Sequence, residues 1–448
     1  MTASAQQRIA RLAATPALHR AFRWLHLHQP QLRNWHMEML RIPAPPFGEQ
    51  ARAAWFLERF HQLGLTNPHI DQAGNALAEL PAARSKNEAV IPTGAGKAAA
   101  AEGSPHLSLA RTTPAPIILL SAHLDTVFPA NTPANPTELE SRIQAPGACD
   151  NAAGLSALLG LAAAMRNAEL SPAVPILFAA NVGEEGEGDL RGMRHLFDPR
   201  ASPYATRIAA AIALEGAGST AVVTRALASR RFRITVSGPG GHAWTDAGAP
   251  NPILILARAL LALEALPAGP TEADPHAPRT TLNIGQIAGG TSINSIPSSA
   301  SALIDLRSTD AAQLQSTELA MRETLGHWAA HWVANPPTPS KTPSTTRPTL
   351  SIEIIGDRPG GALPDDSPLL ATLRAVDRHL SLRTEPGLGS TDANIPLSLG
   401  IPAIAIGTGG LGGGIHTLAE WYDPTGRNTA LRRILLTLLD TAYPDRES

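Results

Sequence analysis

Two histidines and five acids, His123, Asp125, Asp150, Glu184, Glu185, Glu215 and His416, are the residues of this chain best placed to do chemistry, because most stand where an apolar segment stops. From Ile117 to Ala122 the sequence is apolar apart from one serine and does not alternate, the pattern of a strand covered on both faces in a parallel sheet. His123-Leu124-Asp125 follows. Residues two apart on a strand share a face, so the Asp125 carboxylate can orient the His123 imidazole, as a supporting acid does for a metal-bound histidine. Taken alone, the pair also fits ordinary loop polarity. Asp150 opens an apolar helix running to about Met165, where free N–H groups favour a carboxylate; taken alone, it reads better as an N-cap than as a ligand. Glu184 and Glu185 follow the apolar stretch Val174 to Ala180, and Glu215 follows Ile208 to Leu214. Open α/β sheets collect their ligands at such strand ends. Carboxylates and imidazoles gathered there suit a divalent cation.

The elements that must position these residues alternate between helix and strand. Residues 5 to 40 read as helical, with Trp24, Leu25, Leu32, Trp35 and Met39 on one buried face, and Pro43, Pro45 and Pro46 end the pattern. A helix from about Glu49 to Leu63, a turn at 71–75 and a strand from Ala76 to Leu80 come next. Residues 81–115 are rich in Ala, Pro, Gly, Ser and Thr without periodicity, which predicts a long surface loop or mobile insertion. Near Arg230 the pattern changes. A half-exposed strand to Ser237, a Gly-Pro-Gly-Gly-His242 turn, a helix at 253–266, strands at 280–288 and 299–306, a helix at 310–332 and a strand at 349–355 make a split βαβ layer, with a Pro- and Thr-rich loop at 335–348. After Gly361 the first pattern resumes through a helix at 367–381, the strand Ile401 to Ile406 and a glycine-rich loop reaching His416. The fold class expected is therefore α/β. A catalytic domain with a mixed, largely parallel sheet (1–227 and 358–448) is interrupted by a smaller ferredoxin-like domain (228–357).

Composition narrows the function. At 448 residues the chain exceeds one ordinary core, which agrees with two domains. A net charge of -2 supplies no field to attract nucleic acid or an anionic membrane, so neither is expected as a partner. One cysteine, Cys149, excludes an internal disulfide framework and fits a reducing compartment. The amino-terminal residues lack the continuous apolar stretch of a signal peptide, and a cytoplasmic location is the expectation. No stretch approaches the length of a membrane helix.

The motifs Ser-Ala-His123-Leu-Asp125-Thr-Val, Ala-Cys-Asp150-Asn-Ala-Ala-Gly, Gly-Glu184-Glu185-Gly, Leu-Glu215-Gly, Gly-Gly-His242, Gly289-Gly-Thr-Ser-Ile-Asn294-Ser-Ile-Pro, Asp305-Leu-Arg307, Gly-Asp-Arg358-Pro, Gly-Ser-Thr-Asp392-Ala and Ile-His416-Thr occur in this order. The series resembles the co-catalytic zinc metallopeptidases, a family of peptidase T-like enzymes, aminoacylases and glutamate carboxypeptidases. The resemblance covers both domains. It implies that Asp150 bridges two zinc ions, with Glu185 and His416 completing one site and His123 and Glu215 the other; cobalt or manganese are substitutes the same ligands would accept. It further implies that Asp125 supports His123, that Glu184 is the general base, and that His242 stabilises the oxyanion, often across a dimer, with Asn294 nearby. Arg307 and Arg358 look like the family's lid arginines, and Arg358 matches the one that holds a substrate carboxylate. Without the resemblance, His242 reads as a solvent-exposed turn histidine and Arg358 as a hinge salt bridge.

Two departures stand out. Asn151 occupies a position where many relatives carry an acid, and the 81–115 insertion has no recognised counterpart. Other motifs fail on their own terms. Gly409 to Gly414 lacks the Lys-Ser/Thr and the helix of a phosphate loop, and Gly154-Leu155-Ser156 lacks the second glycine of a nucleophile elbow. The reading is a metal-dependent hydrolase of small peptides or N-acyl amino acids, acting as a homodimer through the inserted domain, with carboxypeptidase or deacylase activity favoured by Glu215 and Arg358. The alternatives are a di- or tripeptide aminopeptidase and a non-catalytic metal-binding scaffold, against which the unligated Glu184 argues.

Overall fold

The computed structural model describes residues 4–83, 115–266, 277–334 and 347–443. All but the ends of the expected 81–115 and 335–348 loops lie outside the described residues. Four parallel strands, in the order Ile176–Asn181, Ile117–His123, Ile208–Leu214, Ala403–Ile406, form the centre of a nine-stranded sheet. Antiparallel Ala76–Leu80 and Thr66–Ile70 extend one side; Ala221–Ala226, flanked by Gly361–Ala362 and Glu385–Gly389, extends the other. The sheet is mixed with a parallel centre, as the unbroken apolar runs predicted. Every residue of Ile117–His123 and Ile176–Asn181 is buried.

Why the helix Ala152–Asn167 is apolar all round becomes clear from its position. It packs inward on Ile117–His123, Ile176–Asn181 and Ile208–Leu214 and is itself covered by Pro16–Leu27, Gln29–Leu40 and Arg427–Thr441. The predicted amino-terminal helix proves to be three, Ala5–Ala13, Pro16–Leu27 and Gln29–Leu40. Pro16 and Pro30 each fall in a first turn, where a missing N–H costs nothing, and Thr15 caps the second helix by accepting from the Leu18 N–H.

His36, on the third of these helices, is fully buried, stacks on Tyr422 and sits with Nε2 2.8 Å from the Ala148 carbonyl oxygen. Burial, then the charge of Arg427, pulls its pKa from 6.5 down to about 3. The unfolded chain therefore takes up a proton that the folded one refuses, and stability falls as pH drops from about 6.5 towards 3, by up to ~1.4 kcal/mol per unit. In His36→Phe the pH slope of unfolding free energy between pH 6 and 4 should flatten by about one proton. An unchanged slope would assign that proton to another group.

The inserted layer has the expected order. Its four antiparallel strands run Thr280–Gly289, Ser299–Ser308, Ala228–Ser237, Thr349–Arg358 across the sheet, with helices Pro252–Ala262 and Ala311–Ala334 packed on it. Phe232, Ile234, Val236, Leu256, Ile304, Leu306, Met321 and Leu325 form a second core, separate from that of the large sheet. A third, small sheet was not anticipated. Leu411–Gly413, Trp421–Asp423, Arg142–Gln144 and Thr137–Leu139 pair in that order, bringing the loop before Asp150 against the hairpin that carries His416.

Candidate metal centre and active site

Each predicted strand end delivers its side chain to one place. His123 Nε2 lies 3.1 Å from Asp150 Oδ1 and 3.5 Å from Glu215 Oε1. His416 Nε2 lies 3.0 Å from Asp150 Oδ2 and 3.2 Å from Glu185 Oε1. One carboxylate thus places one oxygen in each of two donor groups. Its freedom to do so has a local cause. The helix that follows is capped by Asn151, whose side chain accepts from the Gly154 and Gly216 N–H groups and donates to the Leu214 carbonyl. Asp150 is therefore not the N-cap, and Asn151 ties the helix mouth to the strand bearing Glu215.

The loop holding Asp150 is set by a residue that sequence reasoning missed. Glu420, wholly buried, accepts from the N–H groups of Gly147 (3.0 Å), Cys149 (2.8 Å) and Asp150 (2.8 Å). It belongs to the same hairpin as His416, so one turn of the small sheet fixes both the shared acid and one histidine.

Asp125 also differs in detail from expectation. Its two carboxylate oxygens accept the Glu184 and Glu185 N–H groups at 3.0 and 2.7 Å, and they hold the acidic pair in place. The His123 Nδ1 is 3.0 Å from the Asp125 main-chain carbonyl and 3.6 Å from its Oδ1. Since a carbonyl only accepts, Nδ1 carries a hydrogen and the Nε2 lone pair is left for a proton or a cation.

The donor set fits divalent cations on electrostatic grounds as well. Burial, then Glu184 and Asp150, pushes Glu185 up to about 8, and burial, reinforced by Asp150 and Glu184, pushes Glu215 up to about 7. Asp392, buried against the Asn181 amide, is raised to about 8 by burial and then by Glu184. The histidines move the other way. The hydrogen bond to Asp150 raises His416 to about 9, and Glu215, Asp125 and Asp150 outweigh burial to raise His123 well above its usual value. Glu185 and Glu215, pushed up by burial and by their acidic neighbours, beside imidazoles drawn towards positive charge, are relieved by bound cations. Of these groups, His123, Asp150 and Glu185 bring ligand atoms within 4.8 Å of one another.

Glu184 borders the same cavity without joining either donor group. The two glutamates diverge: Glu185 faces His416, while Glu184 Oε1 lies 2.9 Å from Arg358 Nη1. Arg358 is only 5% exposed, and its guanidinium also donates to the Glu184 main-chain oxygen and to Ser390 Oγ. The guanidinium expected to hold a substrate carboxylate is thus engaged within the chain. It still borders the cavity of about 290 Å³ above the cluster, together with Arg231 and Arg307 from the inserted layer and Thr391. Arg307 is half-buried and, with Arg231, shares the single carboxylate of Asp305.

His242 and Asn294 line no part of this cavity. His242 sits in a two-stranded ribbon opposite Ser295, with Asn294 just before the second strand, and the His242 Nδ1 accepts from the Trp244 and Thr245 N–H groups in an exposed turn. Within one chain they are not brought to the other site residues.

Among known proteins, the chain is 33% identical over 205 residues to an Aspergillus clavatus protein named as a probable carboxypeptidase, an alignment covering 43% of this chain and 44% of the relative. The chain thus spans less than half the length of that relative. The fold is that of a Staphylococcus aureus tripeptidase, with a TM-score of 0.65 at 20% identity over 92% of this chain and 98% of the other. It is also similar to a Bacillus subtilis protein described as a dinuclear metal-binding peptidase, with a TM-score of 0.59 at 14% identity over 92% and 98% of the two chains. The sequence pattern of one family runs through residues 119–440, well over half of the chain, and takes in every residue of the cluster; the chain belongs to peptidase family M20/M25/M40.

Proposed function

We propose that this chain is a metal-dependent exopeptidase or amidohydrolase that cleaves the peptide or N-acyl amide bond of small substrates, chiefly as a carboxypeptidase or N-acyl-amino-acid deacylase. The observation that carries the reading is Asp150, with one oxygen in each of two donor groups, beside a buried Glu184 that belongs to neither. His123, Asp150 and Glu215 would hold one zinc ion, and Asp150, Glu185 and His416 the other, with cobalt or manganese as substitutes. Such ions supply Lewis acidity, polarising a substrate carbonyl and acidifying the water between them. Glu184 takes the proton of the attacking water and passes it to the leaving nitrogen as the C–N bond breaks. Asp125 keeps Glu184 and Glu185 in register through their N–H groups. The cavity of about 290 Å³ suits a substrate of one or two residues, with Arg307 the accessible cation for its carboxylate. The single cysteine is buried and free, in keeping with a cytoplasmic location.

A homodimer belongs to this reading. Among the described residues, Thr280–Gly289 is an edge strand of the inserted sheet, and Ile284, Ile287 and Ile293, with Leu254 and Leu261 of the neighbouring helix, are exposed. A second copy covering them would carry its His242 and Asn294 towards this cavity, where the imidazole would donate to the developing oxyanion. Heterodimers of His242→Ala and Glu184→Gln chains, each poorly active alone, should recover activity, since one of the two sites regains both groups. Verified heterodimers without recovery would confine His242 to its own chain.

The reading is tested by offering the zinc-reconstituted protein N-acyl amino acids, free dipeptides, and peptides amidated at the carboxyl end. Cleavage of the first group, with strong loss on amidation, is expected. A strict need for a free amine, with amidated ends accepted, would instead establish an aminopeptidase. Positioning by Glu420 gives a further expectation. In Glu420→Gln one oxygen must serve three N–H groups, and zinc affinity, measured by competition with a chromophoric chelator, should fall roughly 10–100-fold. Unchanged affinity would show that the Asp150 loop holds itself.

A further inference from the structure

Arg358 is the last residue of the strand Thr349–Arg358, where the inserted layer returns to the large sheet, and it meets the proposed base at both its side chain and its backbone. Its Nη1 is 2.9 Å from Glu184 Oε1 and 3.2 Å from Ser390 Oγ, and its Nη2 donates to the Glu184 main-chain oxygen. Side chain and backbone of one residue are thus held by one planar fork, a geometry that a point charge could not reproduce. The neighbouring contacts grip the same segment. Arg231 of the inserted layer donates to the Gly186 carbonyl at 2.7 Å, the Asp189 carboxylate accepts the Asp357 N–H at 3.1 Å, and Arg194 donates to the Asp357 carbonyl. The segment from Glu184 to Asp189 therefore rests on the return strand at Glu184 and Asp189 and on Ala228–Ser237 at Gly186.

We propose that Arg358 is a positioning residue for the base Glu184, fixing its carboxylate from the hinge of the inserted layer, and that it does not take the substrate carboxylate. The inference rests on the assignment of Glu184 as base and adds the residue that sets its position. Two observations favour it over a substrate clamp. The guanidinium is buried, and both of its terminal nitrogens already have acceptors within the chain, whereas Arg307 borders the same cavity at greater exposure. A base displaced by about 1 Å loses on the order of 10²-fold in rate without losing substrate affinity.

The test compares Arg358→Ala and Arg358→Lys, using as probes the best-cleaved N-acyl amino acid of the screen above and its carboxamide. In Arg358→Ala, kcat should fall about 10²-fold with KM within about threefold, by the same factor for both probes, and zinc content should stay at the unmodified level. Arg358→Lys, which keeps charge but not the fork, should recover about tenfold. In a Glu184→Gln background Arg358→Ala should cost nothing further, because a residue acting through Glu184 has nothing left to position. A rise in KM confined to the free-carboxylate probe would overturn the proposal in favour of a substrate clamp, and an undiminished loss in the Glu184→Gln background would reduce Arg358 to a stabilising contact. A readout independent of turnover is amide exchange across Val182–Gly188, which should quicken in Arg358→Ala with or without zinc; unchanged exchange would overturn the proposal even if the protein cleaved no amide at all.

Discussion

Glu184→Gln should lower turnover roughly 10²–10⁴-fold, the usual worth of a positioned proton carrier, while zinc content and KM stay close to those of the unmodified protein. The amide keeps the size of the side chain and can still meet Arg358, but it accepts no proton from water and has none to give the leaving nitrogen. Burial pushes the Glu184 carboxyl up and Arg358 opposes that shift, a balance suited to a group that must gain and lose a proton within each cycle. Turnover and elemental content measured on the same preparation decide the matter. Activity within about tenfold of the unmodified level, a small change on a transition-state scale, would mean that another group carries the proton.

Asp150→Ala should be more severe, because both donor groups lose an oxygen at once. No more than trace zinc should remain after dialysis, and activity should fall to background. The helix Ala152–Asn167 should nonetheless survive, since its cap is Asn151 and the three N–H groups bound by Glu420 are main-chain donors. Near-normal circular dichroism together with absent zinc is therefore the expected pair of results. Retention of one ion at full affinity would show that Asp150 serves a single site.

The sequence makes His123, Glu184, Glu185 and Glu215 legible because the parallel strands before them are buried on both faces and read as unbroken apolar runs, so the polarity at their ends is conspicuous. The split βαβ order was readable for the related reason that Ser299–Ser308 alternates strictly between buried and more exposed positions. Glu420 was not. Its sheet consists of three-residue strands with no room for a period, and its partners lie about 270 residues away in sequence. The cap moved by one residue because Asp150 and Asn151 are both good N-caps, and only the hydrogen bonds of Asn151 to Gly154 and Gly216 separate them. Arg358 was located by its motif, but a motif fixes a position in the chain and says nothing about which carboxylate a buried fork will find.

Anomalous scattering at the zinc edge from crystals of the reconstituted protein tests the central claim most directly. Two peaks about 3.5–4 Å apart are expected, astride the Asp150 carboxylate, one within bonding distance of His123 and Glu215 and the other of Glu185 and His416. A single peak, or zinc bound away from Asp150, would contradict the account.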